Sequence, residues 1–325
     1  MVRAKVLVTG CVGFIGSHLA ETLLSKGYSV IGVDCLTPYY SQKIKQYNLN
    51  SLLKSDGFKF VRLDLSASSI DHLVQLVRKA DVVVHEAAQP GVRSSWGVDF
   101  EIYIRHNVLA TQKLLEAGVR SESVKRFVYA SSSSVYGNVR EVQLREDMTP
   151  RPYSPYGVTK LAAENLCKVY HDNFGVPVVV LRYFTVYGPR QRPDMAFHRF
   201  IKAMFRGESI HIYGDGGQIR DFTYVGDVVD ATIKAIESDD VVGEVINIGS
   251  SRPIKLIDAV NLIANILGVK PKIMFEDERK GDVRVTYADI SKARRLLGWK
   301  PKTELREGLE KEIEWLREAM ELGLI

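Results

Sequence analysis

The sequence predicts an α/β fold, a doubly wound parallel sheet with a smaller C-terminal lobe. Three observations predict it. Over the first 185 residues, short Val-rich apolar runs alternate with longer amphipathic ones. Those runs are apolar on both faces, as parallel strands covered by helices should be. A glycine-rich turn, Gly10-Cys11-Val12-Gly13-Phe14-Ile15-Gly16, separates the first apolar run from the first amphipathic one, which makes the pattern Rossmann-type.

The elements follow in order. Strands are expected at Ala4–Thr9, Ser29–Val33, Phe58–Arg62, Val82–His85, Phe127–Ala130 and Val178–Arg182. Helical periodicity falls between them at Ile15–Ser25, Ser69–Lys79, Phe100–Glu116 and Pro155–His171. After Tyr187 the alternation breaks. Pro189 and Pro193, then Gly214, Gly216 and Gly217, mark loops between shorter elements. A helix at Val228–Ser238 and a strand at Glu244–Ile248 read as one more return to the sheet. Helical patterns at Ile254–Leu267, Asp289–Leu297 and Glu304–Met320 complete the smaller lobe. The expected division is residues 1–185 with about 223–249 for the sheet domain, and 186–222 with about 250–325 for the lobe.

Composition narrows the function. The chain has 325 residues, 46% hydrophobic and 26% charged, ordinary for a globular protein. It has no run of about 18 apolar residues, so no membrane span is expected. Met1 leads almost directly into an apolar strand, without the charged and apolar regions of a secretory signal. A cytoplasmic location is therefore expected. Cys11, Cys35 and Cys167 lack metal-ligand spacing and are too few for a disulfide framework. A net charge of +5 with scattered basic residues favours a phosphorylated small molecule over nucleic acid.

Gly10, Gly13 and Gly16 are spaced GxxGxxG. A dinucleotide pyrophosphate requires a tight turn there and a close backbone approach, with its charge against the unpaired amides of the helix N-terminus. Phe14 and Ile15 open that helix. Asp34 ends the second strand, where a carboxylate accepts from ribose hydroxyls and repels a 2′-phosphate. NAD is thus expected over NADP; the alternative for Asp34 is a turn residue. Asp64-Leu65 and Ala87-Ala88-Gln89 follow the third and fourth strands, at further C-terminal strand ends where ligands of open sheets bind.

Tyr156 and Lys160 stand four residues apart, so they share a helical face. An ammonium near a phenol favours the phenolate, which makes Tyr156 a base for a sugar hydroxyl. With Ser131-Ser132-Ser133-Ser134-Val135-Tyr136-Gly137 added, the chain resembles the extended short-chain dehydrogenase/reductase family over essentially its whole length, and within it the nucleotide-sugar epimerases. The resemblance implies a Rossmann domain with a substrate lobe, tightly held NAD and oxidation at C4 of a nucleotide sugar. It implies Tyr156 as base, Lys160 as its partner and nicotinamide-ribose ligand, Ser132 as hydrogen-bond partner of the substrate oxygen, and Tyr183 in the cofactor site. It also implies a homodimer through the helices at Phe100–Glu116 and Pro155–His171.

Two positions discriminate among reactions. Family members that dehydrate the hexose carry Asp-Glu after the Ser/Thr, and those that decarboxylate the uronate carry Glu two positions after it. Here those positions are Ser133 and Ser134, whose hydroxyls are too weakly acidic for proton transfer near neutral pH. Epimerisation needs no such acid. Thr185, in Arg182-Tyr183-Phe184-Thr185-Val186-Tyr187-Gly188-Pro189, stands where many hexose enzymes carry Asn, and resembles the uronate 4-epimerases. Ser133, Ser134 and Thr185 are expected to donate to a C5 carboxylate, with Arg93 as a possible addition or merely a surface residue. Tyr213 resembles the uracil-side loop. Arg192, Arg220 and Arg279 are expected at the diphosphate and ribose, with Asp282 in the adjoining Arg279-Lys280-Gly281-Asp282. The expectation is an NAD-dependent UDP-glucuronate 4-epimerase. A UDP-glucose 4-epimerase is the alternative, ahead of a decarboxylase or a non-catalytic NAD-binding protein.

Overall fold

The computed structural model describes residues 3–139 and 143–325. Alternating elements begin with β1 (Lys5–Thr9), α1 (Phe14–Ser25), β2 (Ser29–Asp34), α2 (Gln42–Leu52), β3 (Phe58–Arg62), α3 (Ile70–Val77) and β4 (Val82–His85). A long interrupted helix follows: α4 (Phe100–Tyr103), a π-helical turn at Ile104–Leu109, and α5 (Ala110–Ser121). Then come β5 (Arg126–Ser132), α6 (Pro155–Phe174), β6 (Val178–Tyr183), β7 (Thr185–Tyr187), α7 (Ala196–Phe205), β8 (Ser209–Tyr213) and β9 (Ile219–Tyr224). The chain closes with α8 (Val225–Glu237), β10 (Val245–Ile248), β11 (Pro253–Lys255), α9 (Leu256–Leu267), β12 (Lys272–Glu276), α10 (Ser291–Leu297) and α11 (Leu305–Glu321).

Seven parallel strands form one sheet in the order β10-β6-β5-β4-β1-β2-β3. Alternate side chains of each strand enter opposite cores. Val6, Val8, Val82, Val84, Val128 and Leu181 face a core with α1, α2 and α8. Leu7, Val83, Phe127, Tyr129 and Val180 face one with α3, α5 and α6. This two-sided burial is why the strands read as unbroken apolar runs. β3 departs from it: at the sheet edge Phe58, Phe60 and Val61 are half-buried while Lys59 and Arg62 are exposed. The strand order reverses between β1 and β4, which opens a crevice at their C-terminal ends.

A third core holds the lobe together, with Phe197, Phe200, Ile210, Ile212, Phe222, Val260, Ile263, Leu309 and Leu316 among its residues. It carries a three-stranded β11-β9-β7 sheet and a two-stranded β12-β8 pair, short pieces that no alternation in the sequence announced. Neither α2 nor α7 was expected. α2 is mostly polar and buries Ile44, Lys45, Asn48, Leu49 and Leu52.

One expected boundary is corrected. The helix expected in the lobe at Asp289–Leu297, α10, packs against the sheet. Ala293, Leu297 and the following Trp299 enter the core under the sheet with Val228 and Ile233 of α8, and the Trp299 indole donates to the Asp227 carbonyl at 3.1 Å. The expected single helix Phe100–Glu116 is also corrected, because its ladder widens at Ile104–Leu109. A π turn of this kind is costly and marks a position with other work to do.

Candidate active site

The glycine turn is shaped by contact. Gly10 has φ +69, and a Cβ there would lie 2.8 Å from the Ala87 amide. A Cβ on Gly16 would collide with the Gly10 carbonyl. Bare glycine therefore lets α1 approach β1 and lets β4 approach the turn. The Thr9 hydroxyl accepts from the Ala87 amide at 3.2 Å and lies 2.8 Å from Nδ1 of the buried His85.

A cleft runs along these strand ends. Gly10, Gly13, Phe14, Ile15, Gly16 and Asp34 line one half. Ala87, Ala88, Gln89, Tyr156, Lys160 and Tyr183 line the other. Asp34 accepts from the Leu36 amide at 2.8 Å and the Val12 amide at 3.4 Å. Burial pushes its carboxyl up, opposed by those amides and by Lys45. Leu65 lines the cleft but Asp64 does not. The Asp64 carboxylate is taken up by the Ser66 amide and hydroxyl, at 2.8 and 2.7 Å, and by Arg105 at 3.7 Å. The Asp64 side chain thus closes its own turn.

α6 carries Tyr156 and Lys160. Its N-terminus is set by Pro155 and by the Ser154 hydroxyl, which accepts from the Gly157 amide at 3.1 Å. Burial pushes the Tyr156 phenol up, while its hydrogen bond with Ser132 and the charge of Arg192 pull it down. Lys160 was expected to supply that charge. Its ammonium instead donates to the Ala130 carbonyl at 2.6 Å, and burial lowers it to about 8 against the pull of Glu86 and Glu164. Arg192, whose charge favours the phenolate, lines the same cleft.

Beyond Tyr156 lie two recesses. Ser133, Ser134, Thr185, Arg220 and Asp282 line the first. The Ser132 hydroxyl donates to that of Ser134 at 3.2 Å. Arg93, Arg192, Tyr213 and Asp282 line the second. Arg93 pairs with Asp282 at 2.8 Å and lies over the Tyr213 ring, 4.3 Å from its centroid. Arg93 is absent from the lining of the hydroxyl recess, where its partner Asp282 stands. The guanidinium in that recess is Arg220, which burial and the charges of Arg93 and Arg284 lower to about 10. Arg279 packs on Tyr213 at 4.6 Å and lines an outer surface rather than either recess.

Several residues of the site escaped the sequence reading. Lys45 donates to the Thr37 carbonyl and hydroxyl at 2.6 and 3.1 Å and faces Asp34 across the cleft. Asn107, inside the π turn, accepts from the Gln89 amide at 2.7 Å and donates to the Gln89 carbonyl and the Thr159 hydroxyl at 3.0 Å. It ties the loop after β4 to α6. Glu164 and Arg182 form a buried pair at 2.8 Å that also holds Ser131. Glu86 lines the cleft beside Lys160. Only Glu86 left a signal, as a carboxylate in His85-Glu86-Ala87-Ala88 directly after a strand.

A dinucleotide-type crevice that ends in a tyrosine, a lysine one turn on and a serine defines the class of the short-chain dehydrogenase/reductases. The chain belongs to its extended branch, in the family described as GDP-mannose 4,6 dehydratase, whose model matches residues 7–312. It is 47% identical over 313 residues to an uncharacterised UDP-glucose epimerase, YtcB, of Bacillus subtilis, covering 96% of this chain and 98% of that one. It is 40% identical over 318 residues to a UDP-glucuronate 4-epimerase of Thermodesulfobacterium geofontis, covering 97% of each. Among solved structures it resembles UDP-glucuronic acid 4-epimerase from Bacillus cereus in complex with UDP-glucuronic acid and NAD. That likeness has a TM-score of 0.93 and 45% identity, and covers 97% of this chain and 99% of the other.

Proposed function

We propose that this protein is a UDP-glucuronate 4-epimerase with tightly held NAD. The observation that carries the reading is the hydroxyl recess. Ser133, Ser134 and Thr185 converge there beside Arg220, and its one lining carboxylate, Asp282, is paired with Arg93. A site of this kind favours an anionic sugar and offers no free acid for dehydration or decarboxylation.

The cleft fits a dinucleotide: Gly10 and Gly16 leave room for backbone approach to a pyrophosphate, and Asp34 faces a ribose. Gly10, Gly13, Phe14, Ile15, Gly16, Asp34, Leu65, Ala87, Ala88, Gln89 and Tyr183 would hold it, with Lys160 toward the nicotinamide ribose. Bound NAD supplies a reversible acceptor for the C4 hydride, so no net oxidation results. Tyr156 takes the 4-hydroxyl proton and returns it. Ser132 keeps the substrate oxygen within reach of the phenol. The 4-keto sugar is a β-keto acid. Held by the hydroxyls, its carboxylate bond stays out of line with the carbonyl π-system and carbon dioxide is retained. Arg192 and Tyr213 would take the diphosphate and uracil side, in a lobe of residues 186–222 and about 250–325 less the α10 segment.

We also infer a cytoplasmic homodimer. Ile102, Ile104 and Leu109 on one helix and Val158, Val169 and Phe174 on the other are exposed, an arrangement that supports helix pairing between two copies. The three cysteines are free, and among the described residues no helix is long and apolar enough to cross a membrane. The test of the function is incubation with UDP-glucuronate, without added NAD, followed by product analysis. Formation of UDP-galacturonate supports the reading. Turnover of UDP-glucose alone would replace it with the neutral-sugar epimerase that the likeness to YtcB brings to mind.

A further inference from the structure

Two carboxylates line the cofactor cleft among the described residues, Asp34 and Glu86. Asp34 lies at the end of β2, where the adenosine half belongs. Glu86 follows β4 at the opposite, catalytic end, and the mechanism above leaves it without a role. Its Oε1 accepts from the Tyr183 hydroxyl at 2.8 Å. That hydroxyl is in turn 2.8 Å from Thr232 on α8, so two elements fix the direction of the carboxylate. The Lys160 charge bears on it, while that ammonium donates to the Ala130 carbonyl. No salt bridge within 4.0 Å neutralises Glu86 among the described residues.

We propose that the Glu86 carboxylate, aimed by Tyr183, tunes the bound cofactor toward its oxidised form. The inference rests on the NAD part of the proposed function. The oxidised nicotinamide carries a positive charge that the reduced ring lacks. A fixed negative charge at that end of the cleft interacts differently with the two states, and only such a difference shifts an equilibrium. Burial and the Tyr183 contact bear on the same balance: burial pushes the Glu86 acid up to about 7, so a cationic ring placed near it draws off the proton and gains an anion. An epimerase that recovers its hydride in every cycle is inactive if it rests in the reduced state. Favouring the oxidised ring keeps each resting molecule ready to accept a hydride.

The experiment measures cofactor binding and supplies no sugar. Wild type, Glu86→Gln, Glu86→Asp and Tyr183→Phe are stripped of nucleotide and titrated separately with NAD⁺ and NADH. An opposite charge within several Å shifts such an equilibrium by roughly tenfold or more. Glu86→Gln should therefore lower the preference for NAD⁺ over NADH about tenfold, mainly by weakening NAD⁺. Glu86→Asp, which keeps the charge, should retain part of it. Nucleotide released on denaturing freshly purified Glu86→Gln should contain a larger share of NADH than that from wild type. If Glu86→Gln fails to fold, Tyr183→Phe removes only the hydroxyl that aims the carboxylate, and should move the same ratio in the same direction. Equal weakening of both nucleotides, or an unchanged ratio in the variants that fold, overturns the proposal. A wild-type protein that binds neither nucleotide overturns the cofactor reading itself, whereas an incorrect sugar assignment leaves this test untouched.

Discussion

The Lys160 ammonium donates to the Ala130 carbonyl at 2.6 Å. This bond joins the second turn of α6 to the end of β5 and sets where the catalytic helix stands against the sheet. The charge of Arg192, which lines the cleft with Tyr156, favours ionisation of that phenol.

Tyr156→Phe should keep the fold and the cofactor but lower turnover by about 10²–10⁴-fold, the range for loss of a positioned acid-base group. Initial rates, with nucleotide content as the control, check this. A wild-type rate would remove Tyr156 from the mechanism.

Thr185→Ala should slow UDP-glucuronate more than UDP-glucose. A lost hydrogen bond to a charged group is worth about 1.5–3 kcal/mol, or roughly 10- to 150-fold at about 1.4 kcal/mol per decade. The hydroxymethyl of the neutral sugar should lose less. A loosened carboxylate should also release carbon dioxide from the 4-keto sugar, so a UDP-pentose should appear. If Thr185 only braces β7, both substrates slow equally and no pentose forms.

NAD should be preferred over NADP because Asp34 repels a 2′-phosphate, and Asp34→Ala should narrow the preference. Lys45, buried beside Asp34, would then meet the phosphate without its opposing carboxylate. Equal binding of both nucleotides by the unaltered protein would refute the assignment.

The protein should be dimeric in solution, and Val169→Glu on the exposed face of α6 should weaken the dimer without unfolding the chain. Light scattering at micromolar concentration reads both. A monomeric wild type would dismiss the interface, leaving Val158, Val169 and Phe174 as surface residues.

Glu86 should give the ligand-free protein a measurable pH dependence of stability. Its folded pKa, about 7, lies above the ordinary 4.5. Between those values the folded state binds more protons than the unfolded one, so this contribution falls as pH rises from about 4.5 to 7. The full span is on the order of 3–4 kcal/mol. Thermal midpoints at pH 5 and 7.5 should therefore differ less in Glu86→Gln than in wild type; identical differences would show that Glu86 titrates normally.

The sheet was legible because its physics is local and repeated. Leu7, Val83, Phe127 and Val180 alternate with equally apolar neighbours, since both faces are buried. Gly10, Gly13 and Gly16, Asp34, and the Tyr156/Lys160 spacing were legible for the same reason: each requirement is met within a few consecutive residues. The lobe strands were less so. β7, β9 and β11 are three to six residues long and find partners far along the chain, and so short a strand leaves no period to read.

By itself the sequence determined the fold class, the glycine turn, the Tyr156/Lys160 spacing and the absence of a carboxylate at Ser133 and Ser134. Only the tertiary structure decided which charged groups serve the site and which neutralise each other. Asp64 went to Ser66 and Arg105, Arg93 to Asp282, Lys160 to Ala130, and Glu86 to Tyr183. The reason is range. Backbone geometry and hydrophobic period are set by neighbours in the chain. The partner of a charge is set by whatever the fold brings within a few Å of it, here across separations of 30 to 189 residues for Lys160, Glu86 and Arg93.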